Sequence, residues 1–134
     1  MKACCYCLLG LALLAVAVRA AEPDAELKKL MSQRVEALTK ARAASIANWK
    51  AGRADFTPIV IVERELIEAR LALAGNDQER LKTFENQVTL ARELEKTARA
   101  SLESGRTNEL PLQLATALRL GYEIQIAQLK NRKD

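Results

Sequence analysis

The densest group of side chains that could do acid–base or metal chemistry is Glu63, Glu65 and Glu68, with Arg64 and Arg70 interleaved. Carboxylates share a proton or hold a cation only when they project to one point, and at helical spacing only Glu65 and Glu68 share a face. The alternating arginines make the cluster a solvated, salt-bridging face rather than a reaction centre. Histidine is absent from all 134 residues, which excludes Ser-His-Asp and Cys-His nucleophile systems, imidazole metal sites and the Glu-x-x-His di-iron bundle. No Gly-rich phosphate loop occurs. The expectation is a protein with no catalytic residue, no cofactor and no metal.

The remaining reactive side chains are Cys4, Cys5 and Cys7, and all three lie in a segment that reads as a secretory signal over residues 1–20. Lys2 is its basic start, Leu8 to Val18 its apolar centre, and Val18-Arg19-Ala20 a cleavage site before Ala21. The apolar stretch of about 16 residues is short of the roughly 20 a spanning helix needs. Nothing later is apolar enough to span, so no stable membrane insertion is expected after the signal is removed. The signal implies a periplasmic or secreted mature chain, 21–134, which then has no cysteine and must hold together by burial alone, as suits a bacterial periplasm rather than the disulfide-rich style of small exported domains. Lys2 and Arg19 leave with the signal, so 21 basic residues fall to 19 against 17 acidic ones, a net charge of +2. Balanced, interspersed charge gives no footprint for nucleic acid.

Four helices must position whatever the mature chain presents. Gly52, Pro58, Gly75, Gly105, Pro111 and Gly121 punctuate stretches rich in Ala, Leu, Glu, Lys, Arg and Gln. The first helix runs from about Ala25 to Ala51 on Leu27, Met31, Val35, Leu38 and Ala41, and stops at Gly52, a left-handed cap. Asp55 or Thr57 caps the second, which holds Pro58 in its first turn and runs to Ala74 through Ile59, Val62, Leu66, Ala69 and Leu73. Asn76-Asp77-Gln78-Glu79 resembles a capping box for the third helix, Asp77 to Ser104. That helix carries Leu81, Phe84, Val88, Ala91, Ala98 and Leu102, with Glu95 out of place in the stripe. Asn108 caps the fourth, which reaches about Lys130 on Leu114, Leu118, Tyr122, Ile126 and Leu129. The tail Asn131 to Asp134 frays. Gly121 either lets another helix approach closely or is merely tolerated.

A shift of 53 residues lays Gly52, Arg53, Asp55 and Pro58 on Gly105, Arg106, Asn108 and Pro111. Glycine, arginine, a capping residue and proline coinciding at one offset indicate a duplicated hairpin, about 25–74 and 77–130. Short connections make neighbouring helices antiparallel, so the fold class is all-α: two tandem helical hairpins forming a four-helix up-down bundle or an elongated coiled coil. The odd-numbered helices are longer and overhang, or a partner covers the excess. Arg42 and Glu95 occupy equivalent positions and interrupt the two stripes. Either they face each other across the hairpins and fix the pairing, or each sits at a stripe edge and reaches solvent; the sequence favours the second.

The run from Trp49 to Leu73 follows a pattern: aromatic, two residues, Gly, a short polar turn, a Val-rich start, then Leu66-x-x-Ala69-x-x-x-Leu73. It resembles the helical-hairpin repeat of the TolC-type outer-membrane efflux factors. The second copy, Leu102 to Ile126, follows it more weakly, with Leu102 for the aromatic and Tyr122 where Ala69 stands. The resemblance covers about 50 residues and implies a periplasmic hairpin that docks onto other helical proteins. It departs from the family in having neither room nor alternation for membrane β-strands, so the chain is not itself a pore. What the resemblance carries over is a docking turn, Gly52, Arg53 and Asp55 with Gly105, Arg106 and Asn108, although a left-handed cap alone accounts for the glycines and a helix dipole for part of the arginines. The expected function is an exported helical-hairpin interaction protein that binds a helical partner. The alternative is a structural coiled coil that self-associates with no turn-specific partner.

Overall fold

In a computed structural model the described residues, 24–132, form four α-helices and no strand: α1 (Ala25–Lys50), α2 (Thr57–Leu73), α3 (Asp77–Glu103) and α4 (Leu110–Asn131). The segment expected to be a signal, with its three cysteines, residues 21–23 and the last two residues of the tail lie outside the described residues. None of these helices is long and apolar enough to cross a membrane. The starts of α2 and α4 follow from sequence, since Pro58 and Pro111 occupy the first helical positions, where a missing N–H removes no helix bond.

The caps depart from expectation in detail. Neither Asp55 nor Thr57 caps α2; its flanking residue, Phe56, is already right-handed and has no side-chain cap. Ile59 N–H instead reaches back three residues to Phe56 C=O, a tight first turn that satisfies one orphan donor without a side chain. Asn108 Oδ1 accepts from Leu110 N–H at 3.1 Å, so the second copy retains a polar cap that the first lacks. At α3 the Asn76 carbonyl oxygen accepts from Glu79 N–H at 2.9 Å, as a capping box requires. Glu79 reaches one residue further back than the motif, to Gly75 N–H at 2.7 Å.

The chain doubles back at every link, so α1 with α2 and α3 with α4 are antiparallel hairpins, and both Gly-Arg turns fall at one end. The hairpins meet through α2, which packs on both α3 and α4, whereas α1 lies along α2 alone. Trp49 is the one buried residue of α1. Met31, Val35 and Leu38 are half-buried, while Leu27 and Ala41, expected in the stripe, are exposed. At about 1.5 Å per residue α1 is about 39 Å long and α2 about 26 Å. The overhang leaves Leu27 and Leu30 about half in solvent.

Two apolar clusters fill the interior. One lies towards the Gly-Arg turns, with Trp49, Phe56, Ile59, Leu94, Ala98 and Ala115; the other, towards the Gly75 end, holds Ile67, Phe84, Val88, Ala91, Tyr122 and Leu129. Polar residues from all four helices come together in the interior with them. Glu63, read as part of a solvated face, is in fact buried, 3 % exposed, and pairs with Arg42 of α1. Its other carboxylate oxygen accepts from Gln87 Nε2 at 3.2 Å, and Gln87 Oε1 accepts from Arg70 Nη1 at 2.6 Å. Glu63 stands one turn from Ile59 and nearly one from Leu66, both fully buried, so helix geometry turns it inward with them. Glu65 does lie on the solvated face and binds Arg34 at 2.6 Å.

Arg42 and Glu95 neither face each other nor reach solvent. Each turns into its own hairpin, Arg42 to Glu63 and Glu95 to Thr116 at 2.9 Å and Arg119 at 2.7 Å. Thr116 is the 53-residue equivalent of Glu63, so both hairpins join the same two positions, with arginine at the first in one hairpin and glutamate in the other. Both side chains are mostly covered, at 18 % and 16 % exposure; an intrahairpin partner one helix away is nearer than either solvent or the opposite repeat.

Candidate docking surface at the paired turns

Both turns are closed by the same pair of backbone bonds. In the first, Gly52 N–H donates to Trp49 C=O and Arg53 N–H to Asn48 C=O, each at 2.9 Å. In the second, Gly105 N–H donates to Leu102 C=O and Arg106 N–H to Ser101 C=O, again at 2.9 Å. This double closure is a Schellman motif, which requires its glycine in the left-handed region; φ is +68° at Gly52 and +69° at Gly105. A Cβ at either glycine meets nothing within 4 Å. Backbone conformation, not crowding, selects the residue.

Packing then differs between the copies. Trp49 and Phe56 flank the first turn edge to face, with centroids 5.0 Å apart, and both are buried. At the second turn the equivalents are Leu102 and Glu109, and the polar contacts shift to Arg106, whose Nε donates to Ser104 Oγ at 2.9 Å.

The turns lie side by side and enclose a cleft of about 420 Å³. Of the six turn residues singled out from sequence, Gly52, Asp55, Arg106 and Asn108 line it. Arg53 and Gly105 do not, although both are exposed. On the other side a smaller cleft of about 240 Å³ lies between Trp49, Gly52, Ser101 and Thr107, and Arg106 lines it too. Arg106 is therefore the cation shared by both clefts, Lys50 joins it in the smaller one, and Arg53 is exposed on the first turn outside them. Thr107, Trp49 and Phe56 belong to the surface and were not among the expected residues. The aromatic at the start of the hairpin pattern was the available signal, and it is the wall of the cleft rather than mere core.

The surface joins a short polar rim to an apolar floor of Trp49, Phe56 and Leu110 around conformationally fixed turns. Such an arrangement can receive a side chain or helix end while two guanidinium groups and Asp55 supply directional contacts. Among the described residues no group of three acidic or thiol side chains is placed to hold a metal ion.

The ion pairs nearest this end are those of Glu95. Its carboxyl is held below the ordinary 4.5 chiefly by the Arg119 hydrogen bond, against the opposing effect of burial. Glu123 is lowered likewise, first by Arg92 and then by Arg119.

No protein-family model, curated protein or solved structure matches the chain.

Proposed function

We propose that the chain is an exported, non-enzymatic interaction protein that binds another helical protein through the end formed by its two Gly-Arg turns, and that it is efflux-related through its TolC-like hairpins without being a pore. The observation that carries the reading is the pairing of two turns of one geometry beside a shared cleft. Folding the duplicated hairpin back on itself brings the copies to one end, so a single partner can touch both. The Schellman bonds hold the turns in place before binding, which limits the ordering cost on association. Arg106 lines both clefts and Arg53 is exposed on the first turn, where each can pair with carboxylates or helix C-terminal carbonyls of a partner. The export signal read over residues 1–20 puts this activity in a periplasm or outside the cell.

Arg53→Glu combined with Arg106→Glu tests the reading. Capture from a periplasmic extract of the native host should lose the helical protein retained by the wild type, with the circular dichroism spectrum unchanged. Capture of the same protein at wild-type yield by the double variant overturns turn docking.

A further inference from the structure

Up to its last turn the solvent face of α4 carries no charge, and Gln113, Gln125 and Gln128 are its exposed polar residues. Arg119 and Glu123 turn toward α3, where they meet Glu95 and Arg92, and Lys130 lies in the last turn. To solvent α4 shows Leu110, Leu120 and Ile124, which are 52 %, 45 % and 55 % exposed. A groove of about 410 Å³ continues this face onto α2, between Val60, Ile67 and Leu71 on one wall and Leu114, Leu118 and Gly121 on the other. Surface helices ordinarily turn charged residues outward, and a continuous apolar face two helices wide marks a contact surface.

We propose that this face is the interface between two copies of the chain, packed antiparallel about a twofold axis that lies in the face and crosses α2 between Arg64 and Glu68. Charge selects a second copy as the occupant. Arg64 lines the groove and Glu68 follows one turn later; both are exposed, and neither forms an ion pair among the described residues. Within one helix, arginine preceding glutamate by four residues is the less favourable order. Reversing a second α2 across the axis sets Arg64 against the other copy's Glu68 twice over. The groove takes Ile67 and Leu71 from α2 and Gly121 and Gln125 from α4, and Leu120 is the 53-residue equivalent of Ile67, so the same axis crosses α4 near Leu120. There an uncharged face meets itself with no like charges opposed, and the open space before Gly121, whose Cβ would meet nothing within 4 Å, admits the opposing helix.

The size of the face sets the strength. Two helices spaced about 10 Å apart and about 17 residues long present about 20 by 25 Å, so a pair of copies buries about 1,000 Å² in total. That is the low end for a specific interface. A face of that size fits a weak, concentration-dependent dimer.

This inference does not rest on turn docking: the two surfaces share Leu110 alone, neither Arg53 nor Arg106 lines the α2–α4 groove, and Arg53→Glu with Arg106→Glu leaves the dimer intact. Sedimentation velocity is run on the purified mature chain, 21–134, from about 1 to 200 µM. A monomer–dimer equilibrium is expected for the wild type. Leu120→Glu should remain monomeric throughout with an unchanged circular dichroism spectrum. Arg64→Glu should weaken the dimer about tenfold by opposing like charges twice, and Arg64→Glu with Glu68→Arg should restore it. A wild type that stays monomeric, a dimer indifferent to Leu120→Glu, or a charge swap that fails to restore association each overturns the proposal.

Discussion

Gly52 and Gly105 each do one measurable thing, which is to hold φ near +70°. With nothing within 4 Å of the point where a side-chain carbon would stand, substitution carries a conformational cost and no steric one. Gly52→Ala and Gly105→Ala should each lose about 1–2 kcal/mol in urea denaturation, and the asparagine variants less, because asparagine tolerates the left-handed region. Equal losses for alanine and asparagine would show that something other than φ selects the glycine. Both turns were legible in the sequence because a left-handed cap leaves a one-residue signature. The helix start at Phe56 was not: a tight backbone turn closes it without a polar side chain, so no residue type announces it.

At the scale of the element, each hairpin is pinned by a polar contact between its own two helices, and the pins are of opposite construction. In the first, the acid is Glu63 on α2 and the base Arg42 on α1; in the second the acid is Glu95 on α3 and the base Arg119 on α4. The first is the more deeply buried. Removing one partner strands a buried charge, whereas removing both does not. Glu63→Leu or Arg42→Leu alone should therefore destabilise by about 3 kcal/mol, and the double variant by much less than the sum. Additive losses in a double-mutant thermal cycle would show that the pair is not coupled. Helix order, lengths and pairing followed from the apolar stripes, but the pins did not. A charged residue within a stripe reads as a helix edge, and only the partner 21 residues away decides whether it turns in.

The whole molecule is joined through residues that belong to neither hairpin's pin. Gln87 of α3 binds both Glu63 and Arg70 of α2, and Tyr122 of α4 packs beside this group with a buried hydroxyl that finds no hydrogen-bond partner. Burial, then the nearby Glu63 carboxylate, push its pKa from 10.0 to about 12. The unfolded chain thus ionises first as the pH rises. Stability should fall by about 2–3 kcal/mol between about pH 10 and about pH 12. Tyr122→Phe should be at least as stable as the wild type at pH 7, since it removes an unsatisfied polar group, and should lack the tyrosine part of the alkaline loss. Denaturation at both pH values compares them; a Phe variant that is weaker at pH 7 would mean the hydroxyl is satisfied in solution. Spacing could place Tyr122 in a stripe but could not show that its buried hydroxyl feels the charge of a carboxylate on the other hairpin.

The position of α1, laid along α2 and close to no other helix backbone, divides the molecule into unequal cooperative units. Lifting α1 breaks its contact with α2, the Arg42–Glu63 and Arg34–Glu65 pairs and the seat of Trp49 in the cluster at the turn end, while the backbones of α2, α3 and α4 keep their mutual packing. The free energy of that opening lies below the global one, so amide protons of α1 exchange through a partial opening that those of α3 do not share. The first helix of the bundle is the first to let go.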